Sequence, residues 1–140
     1  MVAIEESKEF LDKVPDKQDY LTTSCCPAFL ALIEQEFSEI IENISSTVSP
    51  MVALARVLKE EYPNSKVVFI GPCIAKKDEA LKNKAVDAVL TFEELGFMFV
   101  GARINLASIS DGNNFEDATD DGRIFARSGG LIKALEGSVS

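Results

Sequence analysis

The 140-residue chain contains no histidine, no tryptophan and only three cysteines. Without histidine it cannot build a Ser-His-Asp triad, an HExxH zinc site or a mixed cysteine–histidine zinc site from its own residues. An odd number of cysteines argues against a disulfide framework. It leaves thiolate chemistry, metal ligation or burial as small apolar side chains. Positive charge is also scarce, with 14 lysines and arginines against 23 aspartates and glutamates and a net charge of −9. Nothing supplies a basic stripe for phosphates, so no nucleic-acid partner is expected. No apolar run approaches the roughly 20 residues that span a bilayer. The acidic start, MVAIEESKEF, lacks the basic opening of a signal peptide. The expectation is a cytoplasmic protein with no membrane partner.

What remains is an ordinary globular composition, 46% apolar and 26% charged. Its length suits one domain, 1–140, with a modest core. Residues 3–14 read as a helix with Ile4, Leu11 and Val14 as core contacts. YLTTS (20–24) is β-prone, and Pro27 suits the first turn of the next helix. Phe29, Leu30, Ile33, Phe37, Ile40 and Ile41 follow at helical spacing. Ser49 before Pro50 predicts a helix start, with Met51, Leu54, Ala55 and Leu58 as the apolar face. KVVFI (66–70) predicts a strand buried on both faces, and AVDAVL (85–90) a second strand. Thr91 and Glu94 form a capping-box signature for a helix over 92–100. Residues 105–122 read as a long polar loop. RIFARSGGLIKALEG predicts an extended piece, a Gly–Gly turn and a closing helix. Alternating strands and helices imply an α/β fold with a largely parallel sheet and flanking helices.

All three cysteines fall at strand-to-helix turns beside prolines: Cys25 and Cys26 in TSCCPAF, Cys73 in GPCIAKKDE. In a parallel α/β sheet such turns gather where ligands bind, and helix N-termini favour thiolate. Against this, free cysteine is among the most buried residue types. Lys76 and Glu79, as a bare pattern, are a solvated helix face. Beside an anionic ligand Lys76 becomes a point-charge donor.

TSCCPAF and GPCIAKKDE, in this order and separation and with SSTVSP between them, resemble the first two signature motifs of the catalytic domain of the FeFe-hydrogenase (iron-only hydrogenase) large subunit. ARSGGLIKAL resembles a later segment of that family. The resemblance implies one lobe of the iron-only hydrogenase fold. It also implies a parent oxidoreductase that oxidises dihydrogen reversibly at an H-cluster, a 4Fe-4S cubane bridged to a two-iron centre. By position, Cys26 and Cys73 become cubane ligands and Cys25 the thiol that exchanges protons near the two-iron centre. Lys76 and Ser49 become donors to its cyanides. Ser45 becomes a proton relay towards Glu6 and Glu9 of EESKE. A ferredoxin-like electron carrier is the implied partner.

The chain departs from the family pattern in several places. The third cysteine motif, which carries the other two cubane ligands, is absent. Phe29 stands for a tryptophan, Gly71 for a methionine and Met51 for a glutamine, and the GPC form resembles the less typical, often multidomain members, some of them sensory. The expectation is an excised part of a larger catalytic domain, inactive alone and without bound cluster, whose partner is the remainder of the hydrogenase chain. Two rivals are a non-catalytic iron–sulfur sensory or regulatory module and a dithiol oxidoreductase using Cys25 and Cys26. The latter is disfavoured because a vicinal disulfide closes a strained ring.

Overall fold

A computed structural model describes residues 1–110 and 119–139. Its contacts divide the chain into two compact units.

The first unit holds residues 1–48 and the C-terminal segment. Helix α1 (Val2–Lys13) stops two residues before Pro15, which cannot continue a helix. Helix α2 (Pro27–Glu36) begins with Cys26 at its N-cap and Pro27 at its first position. The helix expected to run on to Ile41 instead tightens at Ser38–Asn43 into a 3₁₀ segment. Only Ile33 of the expected apolar series is buried. YLTTS forms no extended ladder. It contributes one parallel bridge, Thr22 to Ile44, with Thr22 N–H bonded to Asn43 O (2.7 Å) and Ser45 N–H to Thr22 O (2.8 Å).

Helix α6 (Asp120–Ile124) lies where an extended piece was expected, capped by the Thr119 hydroxyl. Helix α7 (Gly130–Val139) packs against α1. The Gly–Gly turn is required by geometry. Gly129 has φ +74°, and a Cβ at Gly130 would overlap the carbonyl oxygen of Ile124. Of the expected loop 105–122, Leu106–Ser108 form a 3₁₀ turn. Residues 111–118 lie outside the described residues.

The face that α1 buries is not the expected one. Ile4 and Leu11 are 47% and 60% exposed. Val2, Glu6 and Ser7 are buried instead. Ser7 Oγ donates to Ala3 O at 2.8 Å, with Leu135 O of α7 at 3.4 Å.

The second unit spans Ser49–Gly112. Strands β1 (Val68–Ile70) and β2 (Ala88–Leu90) pair in parallel, Phe69 opposite Val89. The intervening helix α4 (Ala75–Lys82) makes this a βαβ unit. Helix α3 (Pro50–Glu61) precedes it and buries Met51, Val52, Ala53 and Ala55. Leu54, expected on the apolar face, is exposed. Asp87, just before β2, ties the unit together. It accepts from Lys59 Nζ (2.6 Å), Lys66 Nζ (3.0 Å) and Val67 N–H (2.8 Å). These bonds hold its carboxyl well below the usual range. Helix α5 (Phe92–Gly101) starts with the expected capping box, both Thr91–Glu94 bonds being present. The parallel α/β reading therefore holds. β1 is not buried on both faces, however, since Val68 and Ile70 are exposed.

Candidate functional site

The Thr22–Ile44 bridge sets the first unit's polar cluster. It lays the strand-like segment that leads to Cys25 alongside the segment that carries Ser45 and Thr47. Ser24 is buried and donates its hydroxyl proton to Thr47 O, with Thr47 Oγ1 3.2 Å away. Thr47 Oγ1 lies 2.7 Å from Ser45 Oγ. Ser45, also buried, donates to Glu9 Oε2 at 2.7 Å. Ser46 N–H approaches both Glu9 oxygens at 3.0 Å, and Lys13 Nζ meets Oε1 at 2.7 Å. Burial alone would raise the Glu9 pKa. The donors Lys13, Ser45 and Ser46 outweigh it and bring the pKa to about 2. Glu9 is an anion at neutral pH.

Glu6, one helical turn earlier, is the opposite case. It is 2% exposed, and neither carboxylate oxygen makes a well-formed hydrogen bond among the described residues. Burial raises its pKa, the Ser24 backbone opposes this, and the charge of Glu9 adds to it. An isolated buried charge is costly, so such a group tends to hold its proton. Glu6 stands in the wall of an apolar cavity of about 510 Å³ lined also by Phe10, Leu21, Ile132 and Leu135.

Cys25 is half-buried, with Thr23 Oγ1 3.9 Å from its sulfur, whereas Cys26 is exposed. In the second unit Cys73 lies two residues before α4 and is half-buried. Lys76 N–H bonds to Cys73 O at 3.3 Å, and Lys76 Nζ pairs with Glu79 at 2.7 Å. Both of those side chains are largely covered, so the pair is not a solvated face. Ser49 is buried at the N-cap of α3, its oxygen accepting from Val52 N–H at 3.4 Å. That cap uses a lone pair and leaves the hydroxyl hydrogen as a donor.

Glu6, Glu9, Ser45, Cys25 and Cys26 thus belong to the first unit, and Ser49, Cys73 and Lys76 to the second. Sequence reasoning missed Lys13, although a Glu–Lys pair at i, i+4 is a recognisable signal. It missed Ser24 and Thr47, for which no local signal exists.

A cubane takes four thiolate ligands. Cys26 and Cys73 offer two, and no three metal-binding side chains converge among the described residues. The donor set of these residues does not by itself fit a cubane.

Residues 1–139 match the family model "Iron only hydrogenase large subunit, C-terminal domain". The chain is 33% identical over 151 residues to the periplasmic Fe hydrogenase large subunit of Nitratidesulfovibrio vulgaris, covering 93% of this chain and 36% of that protein. It is 29% identical to iron hydrogenase 1 of Clostridium pasteurianum, covering 96% and 27%. A further relative is the cytosolic Fe-S cluster assembly factor NAR1 of Kluyveromyces lactis, 32% identical over 69% of this chain and 21% of that one. Among solved structures, apo FeFe-hydrogenase from Chlamydomonas reinhardtii superposes with TM-score 0.70 at 29% identity, over 79% of this chain and 33% of that one. The chain spans about a third or less of the curated relatives it matches. No helix among the described residues is long and apolar enough to cross a membrane.

Proposed function

The chain belongs to the iron-only hydrogenase large-subunit family, and from that premise we propose that it supplies the proton-handling residues and two cubane thiolates of a larger catalytic domain. The parent reaction is reversible oxidation of dihydrogen to protons and electrons, the chemistry an H-cluster supplies when bound. In this reading Cys26 and Cys73 would supply two of the cubane's thiolates, and Cys25 would hold and release the proton. Lys76 and Ser49 would be the hydrogen-bond donors to the two-iron centre. The remaining ligands lie outside these 140 residues, in the rest of the hydrogenase chain, and a ferredoxin-like carrier takes the electrons. The chain alone is inactive and binds no complete cluster. A cytoplasmic location belongs to the same reading, beside a relative named as periplasmic.

The observation that carries it is the Ser45–Glu9 bond of 2.7 Å in the same unit as Cys25, next to a buried Glu6. Two neighbouring carboxyls have their pKa values pushed apart, Glu6 up and Glu9 down. Such a pair sets one carboxyl whose protonated form is favoured beside one that stays an anion. The test is hydrogen uptake by the complete protein after anaerobic loading with its clusters. Turnover supports the reading, and a loaded protein without turnover contradicts it.

A second reading, an iron–sulfur module without turnover, draws on the assembly-factor relative and on Gly71. A Cβ at Gly71 would stand 2.8 Å from Phe69 Cε1 and 3.2 Å from Cζ. The methionine of the classical enzymes fits there only if this ring moves.

A further inference from the structure

The geometry points to Thr47 as a positioning residue that fixes the direction of the Ser45 proton: its hydroxyl and its backbone N–H together saturate Ser45 Oγ, so that Ser45 donates to Glu9. This rests on the proposal that Ser45 and Glu9 belong to a proton route, and it adds a residue to which neither the motifs nor the family resemblance assigns a part.

A serine hydroxyl has one proton to give and two lone pairs to fill. Glu9, ionised at neutral pH, can only accept, so at 2.7 Å the Ser45 proton lies on the bond to Glu9 Oε2. The contact of 2.7 Å between Ser45 Oγ and Thr47 Oγ1 must then be donated by Thr47. Thr47 N–H, 3.2 Å from Ser45 Oγ, takes the second lone pair. Behind Thr47, the Ser24 proton is engaged by the Thr47 carbonyl, and Ser24 Oγ lies 3.2 Å from Thr47 Oγ1. The hydroxyl protons of Thr47 and Ser45 therefore both run towards Glu9. No hydrogen bond joins Glu6 to Ser45, so Glu6 does not compete for the Ser45 proton. For Ser45 to take a proton from any other neighbour, a bond from Thr47 must first break. Thr47 thus controls how readily the relay reverses.

The test is the Glu9 pKa in the purified 140-residue chain, followed by carbon-13 NMR of its carboxyl through an acid titration. Ser45→Ala removes the donor and raises the pKa by about one unit, the size of one lost charge-assisted hydrogen bond. Thr47→Val keeps shape and loses the hydroxyl. Ser45 can then turn away, and the Glu9 pKa rises by a large part of the Ser45→Ala shift. Thr47→Ser restores the wild-type value. A Glu9 pKa unchanged in Thr47→Val but raised in Ser45→Ala overturns the role of Thr47 and leaves the proton route standing. A rise in Thr47→Ser equal to that in Thr47→Val also overturns it, because packing and not the hydroxyl is then responsible. No rise in Ser45→Ala removes both the route and the inference. If acid unfolds the chain before Glu9 titrates, protection of the Ser46 amide from hydrogen exchange at neutral pH reads the same carboxylate. It must fall in Ser45→Ala and Thr47→Val and hold in Thr47→Ser, and any other ranking overturns the assignment.

Discussion

Ser45 Oγ donates to Glu9 Oε2 at 2.7 Å across 36 residues of sequence. The bond ties α1 to the segment beyond the 3₁₀ turn and makes Glu9 the anchor of the first unit's polar cluster. Its electrostatic consequence is a carboxyl held at about pKa 2.

Glu9 should therefore support acid resistance. A carboxyl depressed on folding stabilises above its unfolded pKa of roughly 4.3, and this stability is lost as pH falls through the folded value. Glu9→Gln should lower unfolding free energy at pH 7 by about 2 kcal/mol. The gap between wild type and variant should close between about pH 4 and pH 2. Urea unfolding across that range measures it, and a gap that stays constant with pH would show that the charge is not the source.

Glu6 should behave with the opposite sign. Its raised pKa means that folding favours the protonated form, so its contribution is complete below the unfolded pKa of roughly 4.3 and lost as pH rises through the folded value. Glu6→Gln should raise the thermal midpoint at pH 7 and leave it almost unchanged below about pH 4. Thermal scans at the two pH values decide this. Destabilisation at pH 7 would mean that the ionised carboxylate has partners that stabilise it.

A Cβ added at Gly71 would lie 2.8 Å from the Phe69 ring, so the ring must shift to admit it. Gly71→Met should cost about 1–3 kcal/mol, the range for overpacking. Phe69→Leu in the same chain should recover part of it, because it removes the ring edge that the new side chain meets. Denaturant midpoints of the single and double variants form the cycle. An additive result would separate the two residues.

The helix starts were legible because each rests on local chemistry. Thr91 and Glu94 form the capping box, and Ser49 and Pro50 open α3. The parallel α/β sense followed from the order of elements, and the family from two short cysteine motifs. What periodicity misjudged was which face is covered. Ile4 and Leu11 share a stripe, yet α7 packs on the Val2–Glu6–Ser7 side, and no local rule reveals a partner more than 120 residues away. The β-prone YLTTS proved a single bridge because, among the described residues, its one ladder partner is Ile44. Ser24 and Thr47 escaped notice for the same reason. Their roles exist only once that bridge aligns the two segments. Glu6 and Glu9 were named from resemblance, and it is the helical turn between them that gives one burial and the other donors.

The central claim, that Cys25 carries protons while Cys26 and Cys73 hold iron, is tested most directly in the complete parent protein. Iron stoichiometry and hydrogen uptake are measured side by side for Cys25→Ala and Cys73→Ala after identical anaerobic loading. Cys25→Ala should retain the cubane iron and lose turnover by several orders of magnitude, as expected when a positioned acid–base group is removed. Cys73→Ala should lose the cluster, since a missing thiolate leaves an iron open to exchange. Equal iron loss in both variants, or full turnover in Cys25→Ala, would contradict the division of labour between the adjacent cysteines.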